Sequence, residues 1–312
     1  MANGNTTAQT PPHAPAPALD AGSWAMLLLL ALIWGGSFLF GRVAVLELPP
    51  LAVVFFRVSL AAVAIWAWLL ARRGWPAITP RFLRDVGGMA IVNNILPFSL
   101  ILYGQQEIGS GLAAIVNAMT PIWTVIIANF LTTDEKLSSR KLVGIFAGFA
   151  GVAILMGGDI VNGLSGSVLA QLAVLCATLS YGFASVYGKR FRNDDPILVA
   201  SGQLSASTLI MAVIMVATGT LSDLAMPSPA AIGSVVGLAL PCTAFAYVLF
   251  FSILKRAGAT SVSLVTFLVP VSAILLGMLF LGEVLTGWHM AGMALIALGL
   301  IILDGRLIRI IR

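Results

Sequence analysis

Charge is scarce in this chain. Asp, Glu, Lys and Arg make up 9% of the 312 residues, against roughly 25% in a soluble globular protein. Hydrophobic residues reach 59% with a mean hydropathy of +1.02, more than a core of this size can hide, so a soluble domain is excluded. Two cysteines (Cys176, Cys242), both in apolar runs, and two histidines (His13, His289) allow neither a disulfide framework nor a metal cluster. No metal and no cofactor is expected. Nucleic acid is excluded as a partner because the net charge of +5 rests on 17 basic residues that lie beside apolar runs, where they orient a membrane protein. Residues 1–22 carry no Lys or Arg, so they lack the basic start of a signal peptide and read as a disordered Pro/Ala/Thr-rich tail.

What remains is apolar sequence in lengths that cross a bilayer, about 20 residues each. Runs near 24–46, 51–70, 86–103, 110–131, 141–157, 168–188, 197–218, 231–252, 260–281 and 287–304 predict ten spans, numbered one to ten below. Breaks such as Leu48-Pro49-Pro50, Asn193-Asp194-Asp195-Pro196 and Gly282-Glu283 separate them. Arg72, Arg73, Arg81 and Arg84, then Lys136, Arg140 and Lys141, then Lys189, Arg190 and Arg192, then Lys255 and Arg256, then Arg306, Arg309 and Arg312 all fall on one side. They are fifteen of the seventeen basic residues, and the positive-inside rule puts that side and both termini in the cytoplasm.

Shifting the chain against itself by 146 to 149 residues aligns Trp34 with Tyr181, Gly41 with Gly188, Pro50 with Pro196, Ser59 with Ser205, Gly109 with Gly258, Pro121 with Pro270 and Glu135 with Glu283. Each half holds five spans, an odd number, so the second half enters the membrane from the opposite side. The expected fold is an all-α integral membrane protein of ten transmembrane helices in two inverted-topology five-helix repeats, 23–158 and 167–304, with tails 1–22 and 305–312. Secondary transporters share that architecture, with a site where the halves meet.

The stretches GSGLAAIVNAMTPIWTVIIANFLTTDEKLSSRKLVGIFAGFAGVAILM and GATSVSLVTFLVPVSAILLGMLFLGEVLTGWHMAGMALIALGLIIL resemble the two EamA modules of the drug/metabolite transporter superfamily. The WGGSF of Trp34–Phe38 and the FFR ending at Arg57 are similar to the first module. The resemblance implies a central cavity built mainly by the first, third and fourth helices of each half, with spans five and ten peripheral. It implies export of amino acids, other metabolites or drugs, without choosing among them.

Polar residues inside spans are the substrate-binding candidates, because hydrocarbon makes them costly. Asn117, Thr120 and Thr124 share one face of span four beside Pro121, and span nine matches them with Ser263, Thr266 and Pro270. The competing reading is that they only join packed helices. Asn93 and Asn94 in span three align with Cys242 and Thr243 of span eight, and Tyr247 with Phe98. Trp34, Tyr181 and Trp123, deep in their spans, could form aromatic walls or merely pack; Ser37 sits beside Trp34. Arg57 has three readings: a ligand for a substrate carboxylate, a partner for Glu47 or backbone carbonyls, or a side chain snorkelling to the interface. The resemblance places an Arg here whatever the substrate, which favours the structural readings.

No carboxylate falls at mid-depth of a span. The superfamily's four-helix multidrug members carry one in their first helix, where this chain reads Leu32-Ile33-Trp34-Gly35-Gly36-Ser37, so efflux of polyspecific cations is disfavoured. Gly144, Gly148 and Gly151, repeated as Gly292 and Gly299, suit close helix approach or a homodimer seam. Gly163-Leu164-Ser165-Gly166 with His289 is similar to an intramembrane protease pair, but no oriented base accompanies the serine. The expectation is therefore an exporter of amino acids, aromatic or apolar ones included, or of similar metabolites. The alternatives are a drug or other metabolite permease, and further off an enzyme or scaffold. Its partners are a small-molecule substrate and the bilayer of the cytoplasmic (inner) membrane, and it acts as a monomer or homodimer. Single cysteines at Arg81 and Leu164, in a chain without the two native ones, should label from the cytoplasmic and the outer face respectively; reversed labelling sinks the orientation.

Overall fold

The computed structural model describes residues 20–133, 137–161, 165–220, 224–262 and 264–304. Asp134, Glu135, Lys136, Gly163, Leu164, Ser263, residues 1–19 of the first tail and the whole of the second, 305–312, lie outside them. Among the described residues nine helices are long and apolar enough to cross a membrane, and Val265–Leu281 is a shorter apolar tenth. Spans one and two are Ala21–Val45 and Pro50–Arg73. Span three is Pro80–Ala90 and Leu96–Gly104 joined by a π-helical turn, Ile91–Ile95. Span four is two helices, Ser110–Asn117 and Thr120–Leu131. Spans five to seven are Ser139–Val161, Ser165–Tyr187 and Pro196–Ala217. Span eight runs Pro229–Ala239, through a π-helical turn at Leu240–Phe245, into Ala246–Val262. That last helix kinks at Gly258, whose φ of 79° is open to glycine, so its end belongs to span nine. Span nine then restarts at Val265 and ends at Leu281, short of the unbroken 260–281 that hydropathy predicts. Span ten is Gly287–Asp304.

The starts are set by local chemistry that repeats with the chain. Pro50, Pro80, Pro196 and Pro229 occupy first turns, where a missing N–H costs nothing. The Thr79 hydroxyl accepts from the Phe82 N–H (3.2 Å), and its repeat counterpart Ser228 accepts from Ala231 (3.2 Å). Ser228 is itself held from the turn between spans one and two: its N–H and hydroxyl donate to the Glu47 carboxylate at 2.7 and 2.6 Å. Those two bonds hold the Glu47 carboxyl below the ordinary glutamate range, so the tie is present at neutral pH and is lost only as the pH falls below that range.

The two halves interlock through a pseudo-two-fold visible at single glycines. A Cβ added to Gly35 in span one would lie 2.8 Å from the Ala273 nitrogen of span nine, and one added to Gly182 in span six 3.1 Å from the Thr124 nitrogen of span four. Both pairs are related by the repeat shift, so each half's first helix lies against the other half's fourth. Spans two and seven pack on each other, as do spans five and ten.

The span-five glycines make that last seam. A Cβ on Gly144 would stand 2.7 Å from the Gly299 carbonyl oxygen, and one on Gly151 2.8 Å from that of Gly292. The glycine stripe thus joins two helices of one chain. Gly151→Leu should overpack a backbone that cannot yield, costing about 1–3 kcal/mol, whereas Gly157→Ala, where an added Cβ meets nothing within 4 Å, should be neutral or stabilising by up to about 1 kcal/mol. Thermal unfolding of the two variants in detergent checks the contrast, and equal melting temperatures would refute the seam.

Candidate functional site

The two π-helical turns face the polar middle of the bundle, and they begin 149 residues apart, one in each half. A π turn widens the helix by one residue and releases carbonyls from the ordinary i→i−4 ladder. Those carbonyls are taken up: the Ser180 hydroxyl donates to Val92 (2.7 Å), and Thr243 to Leu238, five residues back (2.8 Å).

Around the first turn a neutral network closes. Asn93 Nδ2 donates to Gln203 Oε1 and to the Tyr247 hydroxyl, each at 3.1 Å. The Tyr247 hydroxyl donates to Asn94 Oδ1 (3.3 Å), Asn94 Nδ2 donates to the Ser207 hydroxyl (3.0 Å), and Ser207 donates to the Gln203 carbonyl (2.7 Å). Asn94 is fully buried, while Asn93 and Tyr247 are half-buried. Around the second turn Arg57 Nε donates to Thr243 Oγ1 (2.9 Å), and its guanidinium lies 3.7 Å over the Phe98 ring. From Tyr247 an aromatic ladder leads off: stacked on Phe251 (6.3 Å between centroids), edge-on to Phe250 (5.2 Å), and on to Trp34 (5.7 Å).

The candidates therefore divide. Asn93, Asn94 and Tyr247 join in one network, Thr243 binds Arg57, and Trp34 reaches Tyr247 through two phenylalanines. Tyr181 is half-buried between the two large apolar clusters. Ser37 and Thr266 are half-buried and make no side-chain hydrogen bond among the described residues. Asn117 and Thr120 sit at the break in span four, where Pro121 cannot donate to the Asn117 carbonyl; the Thr120 hydroxyl does so instead (2.9 Å). Asn117 Oδ1 is buried without a described partner. Trp123 turns its ring edge-on to Phe149 of span five (5.2 Å), toward the peripheral helix pair. No described hydrogen bond links this span-four set to the π-turn network, or joins the paired positions Asn94 and Thr243 to each other.

Arg57 follows neither the snorkelling reading nor the Glu47 reading. At 8% exposure it does not snorkel, and Glu47 is committed to Ser228. Gln203 and Ser207, polar residues of span seven that are absent from the candidates read in the sequence, complete the network. The repeat held the signal, since the 146-residue shift that pairs Ser59 with Ser205 also pairs Arg57 with Gln203.

At the end opposite the basic loops, Glu283 accepts from the Ser110 N–H (2.6 Å), the Ser110 hydroxyl (3.0 Å) and the Gly111 N–H (2.9 Å), capping span four with a carboxylate. Arg42 donates to the Gln105 and Gln106 carbonyls, and Gln105 Nε2 to that of Phe38 (2.7 Å). A cavity of about 390 Å³ lies there, lined by Arg42, Glu283 and His289 among others, and is remote from the π-turn network. Asp159 nearby accepts from Ser167 (2.7 Å) and Gln171, with His289 Nε2 at 3.8 Å.

Residues 22–157 and 168–303 each match the EamA-like transporter family. The chain belongs to that family. Among EamA-like relatives it is 27% identical over 279 residues to the uncharacterized transporter YoaV of Bacillus subtilis, covering 88% of this chain and 94% of the relative. It is 28% identical over 288 residues to the uncharacterized inner membrane transporter YedA of Escherichia coli, covering 89% of each. A crystal structure only 19% identical shares the fold, with a TM-score of 0.62 over 91% of this chain and 97% of the other.

Within this EamA-like frame the amides have different energetic roles. Replacing Asn94 by Leu orphans hydrogen-bonding capacity on Ser207 and Tyr247, and should cost about 1–3 kcal/mol of stability. Asn117→Leu removes an oxygen that has no described partner and should leave stability within about 0.5 kcal/mol of the parent. Melting curves that rank the two variants the other way would show that the network is not built as described.

Proposed function

We propose that this membrane protein is a secondary transporter that exports amino acids, aromatic or apolar ones foremost, or similar small metabolites, by alternating access between its two repeats. The observation that carries the reading is the junction of a neutral amide and hydroxyl network with an aromatic ladder at the π turns. Amides and hydroxyls can exchange bonds with a zwitterionic head group, and offset aromatic contacts contribute about 0.5–1.5 kcal/mol each beyond burial of an apolar side chain. An enzyme would instead need titratable groups converging on a reacting atom.

Alternating access is supported by an imbalance between the ends. Opposite the basic loops, the first half of span four lies against span nine, with an added Cβ on Gly111 3.2 Å from Ile274 and Glu283 locked onto Ser110. The second half of span four packs chiefly on span six. This favours a state closed at the outer end and ready to load from the cytoplasm, given the orientation that the basic loops predict. The described carboxylates lie at or near helix ends, which supports transport without a proton carrier at mid-depth. The reading places the chain in the cytoplasmic membrane, with both termini inside, as a monomer or homodimer.

Counterflow of labelled amino acids into proteoliposomes tests this. An aromatic or branched apolar amino acid should exchange without an imposed pH gradient, and Asn93→Leu, which removes the network amide that bonds Gln203 and Tyr247, should abolish exchange while the protein stays folded. If no amino acid exchanges and a labelled drug or unrelated metabolite does, the permease alternative takes its place.

A further inference from the structure

Arg57 stands about two turns inside span two, at 8% exposure. Among the described residues no carboxylate lies within ion-pair distance of it. A guanidinium has five N–H donors, and here one of them, on Nε, donates to Thr243 Oγ1, while the flat of the group rests on Phe98. The terminal nitrogens make no described hydrogen bond, yet they are not among the unpartnered polar atoms sealed from solvent. The group lies within electrostatic reach of Tyr181, Cys242 and Tyr247. A buried cation held by one neutral hydroxyl and one ring face is under-compensated, because charge taken out of water is costly unless paired and bonded.

The repeat supplies the control. Gln203 occupies the Arg57 position in the second half, and like Arg57 it reaches across to the other half's π turn. Its amide is neutral, and its oxygen is satisfied by Asn93. The crossing itself can thus be made by an uncharged side chain. The positive charge at Arg57 needs another explanation, and its free N–H groups point to an anion.

We infer that Arg57, held on Thr243 and the Phe98 ring, binds the carboxylate of the transported molecule. The inference rests on the transporter reading above and narrows it to carboxylate-bearing substrates. The planar fork suits a carboxylate's two oxygens. The Tyr247–Phe251–Phe250–Trp34 ladder offers ring contacts for an apolar remainder. The Asn93 side-chain oxygen makes no described hydrogen bond and keeps its capacity to accept from an ammonium.

The full-length protein in detergent should be titrated with L-phenylalanine, with 3-phenylpropionate, which lacks the amine, and with phenethylamine, which lacks the carboxylate, reading thermal stabilisation. The two carboxylates should raise the parent's melting temperature and the amine should not. Arg57→Gln should weaken both carboxylate responses at least tenfold, and Arg57→Lys, which keeps the charge and loses the fork, by about threefold or more. The inference is overturned if neither carboxylate stabilises the parent, if phenethylamine acts as strongly as they do, or if folded Arg57→Gln responds like the parent. Should Arg57→Gln fail to fold, Arg57→Lys decides: unchanged carboxylate affinity means that the cation is structural. Counterflow keeps the two readings apart. Amino-acid exchange that survives in Arg57→Gln removes the anchor and leaves the transporter. Arg57-dependent carboxylate binding without exchange of any amino acid does the reverse.

Discussion

Hydrocarbon offers no hydrogen bonds, and an amide or hydroxyl left there without a partner costs several kcal/mol. Where this chain departs from continuous α-helix, the freed groups have to be bonded within the protein, and much of its polar chemistry is organised around those departures. The π turns of spans three and eight release carbonyls that Ser180 and Thr243 take up. The Pro121 break in span four releases the Asn117 carbonyl, which Thr120 takes up. Thr243, one of these repairing side chains, is also where the Arg57 crossing ends, while Gln203 crosses to Asn93 within the other π turn.

The pseudo-two-fold shows which features belong to the scaffold and which to the chemistry. Features shared by both halves are architectural: proline first turns, the Thr79 and Ser228 caps, the Gly35 and Gly182 crossings, and the glycine seam between spans five and ten. Features that differ sit at the π turns. Asn94 faces Thr243 across the repeat alignment, Asn93 faces Cys242, and Gln203 faces Arg57. One side is a closed neutral network; the other is an open cation beside a hydroxyl and an aromatic face. A duplicated helix framework that diverges mainly where two crossing side chains meet two widened helices concentrates its asymmetry in a small volume.

Much of the architecture was legible in the sequence, because span length, basic loops and a constant repeat offset are each coarse signals that survive local irregularity. The glycine spacing of span five and its copy in span ten indicated a close seam, and the seam proved to lie within the chain. Local irregularity itself was not legible. Whether an N–H bonds four or five residues back leaves no mark on hydropathy, so the π turns were invisible. Gly258 kinks the chain in the break expected between spans eight and nine, whereas the turn at Leu264 interrupts a stretch that reads as unbroken apolar helix. For Arg57 the sequence offered Glu47 as a partner from proximity in the chain, whereas the structure gives Thr243, almost two hundred residues away, because spans two and eight meet only in the inverted assembly. Trp123 was singled out for its depth, but depth does not fix direction on a helix, and its ring turns to Phe149.

On the alternating-access reading, the ties at the outer end set an energetic constraint on the whole molecule. Glu283 makes three charge-assisted bonds to the start of span four, each of a kind contributing about 1.5–3 kcal/mol when well formed. Two states that interconvert during transport have to lie within a few kcal/mol of one another. Releasing this cap must therefore be offset by new bonds and packing elsewhere in the bundle, or by water reaching the freed groups at what becomes an open mouth. The second route is available at a helix end and is denied at mid-depth. This explains why carboxylates can serve as releasable ties at the rims of the bundle, while at mid-depth any bond given up by the amides, hydroxyls and Arg57 has to be replaced by one from the protein or the substrate.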